Sequence, residues 1–157
     1  FAPADSPPIV IAALGPKMLA LAAEKCTGAH PYFSSPEHTR MAREVMGPDA
    51  WLCVEQKVIL ENEPAKARDL ARPVSRIYHQ LPNYRNNWLR MGLTDTDIDT
   101  LSDRFIDTTF AWGSSLAIKD RIQAHLDAGA DHVCLQPVNP SGQFGELHWQ
   151  TLEALMT

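Results

Sequence analysis

The chain has 157 residues, 45% of them hydrophobic and 21% charged, with a formal net charge of -5. That is enough chain for one domain with a real core, and the acidic balance argues against a nucleic-acid surface. No apolar run is long enough to span a bilayer and no signal peptide is read at the start, while three widely spaced cysteines, Cys26, Cys53 and Cys134, lack metal-type spacing and read as reduced thiols of a cytoplasmic protein.

The first residue is Phe1 and residues 1–8 read as the end of a linker, so the chain is expected to begin inside a larger protein. Residues 9–14 are continuously apolar, as a parallel strand covered on both faces requires. Gly15 permits a tight reversal or the close approach of a ligand. Pro16 suits the first position of a helix, which is predicted to run to about Lys25. The first-turn amides of such a helix favour an anion such as a phosphate. A plain strand–helix junction explains the same residues.

A short strand is predicted over residues 29–33. Ser34, Ser35, Pro36 and Glu37 have the form of a capping box, and a helix follows over 36–46. The longest strand is predicted at 51–60. Asn62 is placed as the cap of a helix running from about residue 63 to 80, kinked or broken at Pro73. Helical pieces restart at 81–92, and Thr94 and Ser102 are read as caps of two more, ending near Trp112 and Gly113. Ser114 caps a helix over 115–128, a fourth strand covers 131–136, and a terminal helix spans 146–156.

Strands alternating with helices imply an α/β fold with a parallel sheet and right-handed crossovers. Four βα units make half of a TIM-like (β/α)8 barrel, with extra helices after the third strand, an inserted helical region at about 82–113, and one domain over 1–157. Such a half-barrel leaves two strand edges unpaired and its inner face uncovered. A compact flavodoxin-like sheet is the alternative, with helices on both faces.

Three stretches, residues 12–23 (AALGPKMLALAA), 28–39 (GAHPYFSSPEHT) and 124–136 (AHLDAGADHVCLQ), together with 82–92 (PNYRNNWLRMG) and 102–105 (SDRF), make the chain resemble the C-terminal half of the luciferase-like monooxygenase superfamily. The match is to its branch of coenzyme F-420-dependent oxidoreductases. The resemblance implies that strands five to eight of the barrel are present and strands one to four are not. It implies a deazaflavin, coenzyme F-420, at the C-terminal strand ends, with FMN as the alternative cofactor. The cofactor contacts it implies are Leu14, Gly15, Pro16, Lys17 and Met18 after strand five, and Tyr32, Phe33, Ser34 and Ser35 after strand six. Both segments are strand ends leading into helix N-termini, which suits an anionic group. Lys17 as a solvated helix residue is an equal reading.

The activity implied is hydride transfer with a small organic substrate. FMN-dependent monooxygenation is one alternative, and a non-catalytic truncated half-barrel is another. The partners expected are the missing N-terminal half or a second copy, so a homo-oligomer, with no nucleic acid and no membrane. His30 and Tyr32 share a strand face by parity and are candidates to approach substrate, as are Tyr84, Arg85 and Gln136. For each, packing or a solvated surface is the competing role. Glu55 and Lys57 also share a face; a buried Glu55 reads as a site group with a shifted pKa or, since it lies well before the strand's C-terminal end, as the preferred alternative of an internal hydrogen bond or ion pair. The four tryptophans, Trp51, Trp88, Trp112 and Trp149, are read as packing anchors. Cys134 has no neighbour that would activate it. No metal site and no protein nucleophile is assigned.

Overall fold

The structure is a computed structural model, and it describes residues 7–141 and 146–157. Most of the linker reading and part of the Pro/Gly/Ser loop after residue 136 lie outside those residues. The order is β1 (Val10–Ala12), α1 (Pro16–Lys25), β2 (Gly28–His30), α2 (Pro36–Met46), β3 (Trp51–Ile59), α3 (Pro64–Ser75), α4 (Pro82–Arg90), α5 (Asp95–Thr100), α6 (Asp103–Thr109), β4 (Phe110–Trp112), α7 (Ser115–Asp127), β5 (His132–Pro137) and α8 (Trp149–Met156). The expected βα alternation is present, with one strand more than predicted. Residues 110–112, read from sequence as a helix end, form β4. The strand expected fourth is therefore β5.

All strand pairs are parallel. β3 is the hub. Trp51 N donates to Thr27 O and Glu55 N to Pro31 O, on the β2 side. Gly113 N donates to Ile59 O, on the β4 side. Leu52 O and Val58 O accept from Asp131 N and Val138 N, on the β5 side. Successive residues of a strand bond to opposite edges. β2 and β4 therefore share one edge of β3, β2 along its start and β4 along its end, while β5 takes the other edge.

The even residues of β3, Leu52, Val54, Gln56 and Val58, are fully buried. They pack under a helical layer in which α1 contributes Leu19 and Ala22, α2 contributes Ala42 and Met46, and α7 contributes Ile118. His125 bridges this layer to the sheet: its Nε2 donates to Gln56 Oε1 (2.9 Å) and its Nδ1 accepts from Thr39 Oγ1 (2.8 Å). Burial, then the charges of Arg121 and His38, push the His125 imidazolium down to about 4, so the ring is neutral near pH 7.

The opposite face divides in two. Its upper part is roofed by α3–α6, whose Trp88, Ile98, Phe105 and Ile106 form one core with Phe33, Ile59 and Phe110. Bidentate Arg68–Asp107 contacts at 2.7 and 3.0 Å tie α3 to α6. Its lower part is open: Ala12, Trp51, His132 and Cys134 are exposed, as expected of an uncovered inner face.

Several local readings change. Phe33 takes φ 58 and leaves the β2 strand, which ends at His30. Ser35, not Ser34, caps α2, accepting from His38 N at 3.3 Å. Glu63, not Asn62, caps α3, accepting from Ala65 N at 3.3 Å. α3 carries Pro73 inside and ends at Ser75, short of residue 80. Of the four tryptophans only Trp88 is fully buried, while Trp51 and Trp149 are 49% and 64% exposed.

Candidate functional site

The first strand end, the second strand end and the inserted helix α4 converge on one cavity of about 330 Å³. β1 runs directly into it: Ala12, Ala13, Leu14 and Gly15 form one wall, with Met18 from the first turn of α1. His30 and Tyr32 form the floor, and Asn83, Tyr84, Asn86 and Arg90 of α4 close it. Gly15 has extended geometry, φ -88 and ψ 158, so its backbone does not demand glycine. A Cβ there would stand 3.4 Å from Arg90 Nη2, an ordinary contact with the tip of a flexible side chain, so the residue matters for its place beside that guanidinium. No side chain caps α1. The positive end of that helix and the Arg90 guanidinium thus face the same space, an arrangement that attracts an anion.

His38 of α2 fixes the end of the β1 wall. Its Nε2 lies 2.9 Å from Leu14 O, and since a carbonyl only accepts, Nε2 carries the proton. Burial, with the Arg90 charge adding to it, lowers the His38 pKa and keeps the ring neutral. Beneath the cavity Tyr32 donates to Gln136 Oε1 at 2.7 Å and meets the Tyr78 hydroxyl at 3.1 Å. Burial and the Tyr78 contact push the Tyr32 phenol up, and burial raises Tyr84, so both stay protonated. Tyr32, Tyr78 and Tyr84 pack in a tilted and edge-on trio with centroids 5.0–6.3 Å apart.

Lys57 and Glu55 lie just under this trio, 1% and 2% exposed. Lys57 Nζ is 3.1 Å from Glu55 Oε1 and 3.7 Å from the centre of the Tyr32 ring, so ion pairing and cation–π attraction both act on it. Of the readings open for Glu55, the internal ion pair is the one present, with Lys57 as its partner. Burial, against the pull of Glu55, brings the Lys57 ammonium down to about 8.

The sequence-derived residues separate as follows. Leu14, Gly15, Met18, His30, Tyr32 and Tyr84 line the one cavity. Pro16 and Lys17 are exposed and outside its lining. Phe33 is a core residue, 1% exposed and packed edge-on against Trp88 and Phe110. Ser34 is buried with no hydrogen-bond partner for its Oγ among the described residues, and Ser35 serves as a helix cap. Arg85 turns away to Asp95 and, at 2.6 Å, Asp99, tying α4 to α5. Gln136 lines a different cavity. Sequence reasoning missed Arg90 and His38. Arg90 was readable as the last member of a polar stripe, Asn83, Asn86 or Asn87, Arg90, at helical spacing on α4.

The residues present fit a flat ring bearing an anionic group. Gly15 and the uncapped α1 end supply a cradle, Arg90 a cation, and Tyr32 and Tyr84 aromatic walls. Among the described residues no cluster of His, Cys, Asp and Glu could hold a metal ion, and no helix is long and apolar enough to cross a membrane.

Comparison with known proteins agrees with this architecture. Residues 1–132 match the family model described as luciferase-like monooxygenase. Among curated proteins no sequence match is found. The fold is similar to an F-420-dependent secondary alcohol dehydrogenase in complex with an F-420–acetone adduct (TM-score 0.65, 15% identity, 98% of this chain and 50% of that one). It is also similar to apo-MsnO8 (TM-score 0.55, 15% identity, 98% and 51%). A third likeness is to the coenzyme F-420-dependent tetrahydromethanopterin reductase from Methanopyrus kandleri (TM-score 0.54, 17% identity, 83% and 44%). The chain thus spans about half the length of these structures, and its parallel α/β sheet is a partial TIM-barrel-like fold.

Proposed function

The chain belongs to the luciferase-like monooxygenase family, and from that premise we propose that it forms the cofactor-phosphate half of an F-420-dependent oxidoreductase acting on a small organic substrate. The observation that carries this reading is the meeting of Gly15, the uncapped start of α1 and Arg90 in one cavity beside Tyr32 and Tyr84. Two of the three similar structures are of F-420-dependent enzymes by name, which supports the deazaflavin over FMN.

When bound, the deazaflavin supplies hydride chemistry, and the protein supplies binding, orientation and electrostatics. In this assignment Arg90 and the positive end of the α1 dipole hold the anionic group. Gly15 leaves it room, and neutral His38 keeps Leu14 in place behind it. Tyr32, pinned by Gln136 and Tyr78, and Tyr84 flank the ring system. Lys57 with Glu55 stiffens the floor beneath Tyr32. His30, whose Nδ1 is 2.6 Å from Cys53 O, stands on the floor of the same cavity.

The open lower face, where Ala12, Trp51, His132 and Cys134 are exposed, is assigned to the rest of a barrel, supplied by an N-terminal half or by a second copy. Sedimentation separates these: a 157-residue chain that stays monomeric, folded and cofactor-binding needs neither.

The cofactor reading is tested by fluorescence titration with F-420 and, in parallel, with FMN. Saturable F-420 binding is expected. Tight FMN binding without F-420 binding moves the assignment to a flavin monooxygenase, and binding of neither removes the cofactor reading.

A further inference from the structure

A second cavity, of about 370 Å³, lies between α3 and the end of β5, within the size range of small-molecule sites of about 300–1,000 Å³. Lys57 and Gln136 lie at its floor, and Leu70, Pro73, Val74 and Ile77 form an apolar wall. Tyr78 separates it from the Gly15 cavity, touching Tyr32 on the far side. The cofactor assignment places no ligand in this space, although Lys57, Tyr78 and Gln136 of its lining also support Tyr32 from below. Ile77 at its rim is 61% exposed although apolar.

Lys57 and Gln136 are register partners across β3 and β5, so their side chains rise from the same face one strand spacing apart, about 4.8 Å. Among the described residues, Lys57 Nζ has one hydrogen-bond acceptor, Glu55 Oε1, and an ammonium has three donors. Gln136 Oε1 is taken by Tyr32, while its Nε2 has no hydrogen bond among the described residues. Lys57 Nζ also lies 3.7, 4.1 and 5.4 Å from the Tyr32, Phe33 and Tyr78 ring centres, so the Gln136 amide is the donor left at one end of a mostly apolar space. The charge of Lys57 is already matched by Glu55, and Asp69 and Glu146 also line the cavity. An added anion would meet carboxylates rather than an unpaired cation.

We propose that this second cavity binds an uncharged, mainly apolar molecule through a single oxygen acceptor, with the Gln136 amide as donor and the α3 wall as its apolar bed. This goes beyond the cofactor assignment and does not depend on it.

The test is ligand-observed NMR titration of the 157-residue chain with acetophenone, ethylbenzene and benzoate. These share a ring but differ as neutral acceptor, no acceptor and anion. Saturable acetophenone binding is expected, at least about tenfold tighter than either of the others. Val74→Trp fills the cavity from its apolar wall and should abolish the binding. Gln136→Leu should weaken acetophenone about tenfold and leave ethylbenzene unchanged, which decides the matter should Val74→Trp fail to fold. Failure of acetophenone to saturate, benzoate binding as tightly, or unchanged binding in the folded variants overturns the proposal. F-420 titration of the unsubstituted chain keeps the two assignments apart, since Gln136→Leu also removes a hydrogen-bond partner of Tyr32: absence of F-420 binding with acetophenone binding intact removes only the cofactor reading.

Discussion

Phe33 donates its backbone N–H to Glu55 Oε2 at 2.9 Å, so a carboxylate of β3 holds the residue that turns the chain out of β2. Phe33 sits at φ 58, a conformation costly for a residue with a side chain unless its surroundings fix it. The other oxygen of Glu55 holds Lys57. One buried side chain thus fixes both a backbone turn and a buried charge.

Removing one member of that pair should be worse than removing both. Glu55→Gln leaves Lys57 buried without its counter-charge and should cost roughly 3 kcal/mol or more in urea unfolding. Glu55→Gln with Lys57→Met should recover a large part of the loss. The pH response follows from the same pair. Lys57 is held at about 8, below its ordinary 10.5, so between those values the unfolded chain binds more protons than the folded one. Stability should rise as pH climbs through that window. In the double variant the rise should be absent; an unchanged pH profile there would assign the effect to another group.

His125 gives a slope of the same sign on the acid side. Its folded value near 4 lies below the ordinary 6.5, so the unfolded chain takes up more protons between 6.5 and 4. Stability should fall across that range by up to roughly 3 kcal/mol from this residue. Thermal unfolding at pH 7 and pH 4.5 measures it. His125→Phe should be less stable at pH 7, because Gln56 and Thr39 lose a partner, yet lose less on acidification.

Gly28→Ala should destabilise by about 1–3 kcal/mol or more. A Cβ at Gly28 would stand 2.1 Å from Trp51 O, which is backbone and cannot rotate away. The change would push β2 off the start of β3. Chemical unfolding reads it, and wild-type stability in this variant would mean that the two strands do not approach so closely in solution.

Arg90→Met should weaken F-420 binding about 10- to 100-fold, the range for a lost charge-assisted hydrogen bond. It should leave the unfolding midpoint nearly unchanged, since the one side-chain hydrogen bond that Arg90 makes among the described residues is a long 3.4 Å contact to Asn87. Lys17→Met is the control. Lys17 is exposed and outside the cavity lining, so its loss should alter affinity by less than about threefold. Equal losses in both variants would place the anion on the outer side of α1 instead.

Much of the architecture was readable before any coordinates. The apolar run into Gly15-Pro16, the caps at Thr94, Ser102 and Ser114, and the alternation of strands and helices are local signals, and local signals survive folding. The cavity's walls at Leu14, Gly15, Met18, His30 and Tyr32 follow from the strand ends. The unread parts are long-range. β4 is three residues, and its strand character comes from pairing with Lys57, Val58 and Ile59, which no short window contains. Arg85 and Arg90 look alike in sequence; which one faces the cavity depends on how α4 docks, and the aspartates of α5 claim Arg85. Phe33 reads as a strand end beside serines, yet the roof of α3–α6 makes it a core residue.

The edge of β3 that β2 and β4 divide between them turns the sheet into a fork. β2 bends away after Pro31, β4 joins further on, and Tyr32, Phe33 and the Lys57 ammonium fill the crotch. Both cavities open beside that split, one against α1 and α4, the other against α3. Their floors therefore come from strand register, which tolerates little change, whereas their ceilings come from helices attached above. A designer wishing to alter what this protein holds should recut α3 or α4 and leave the fork alone.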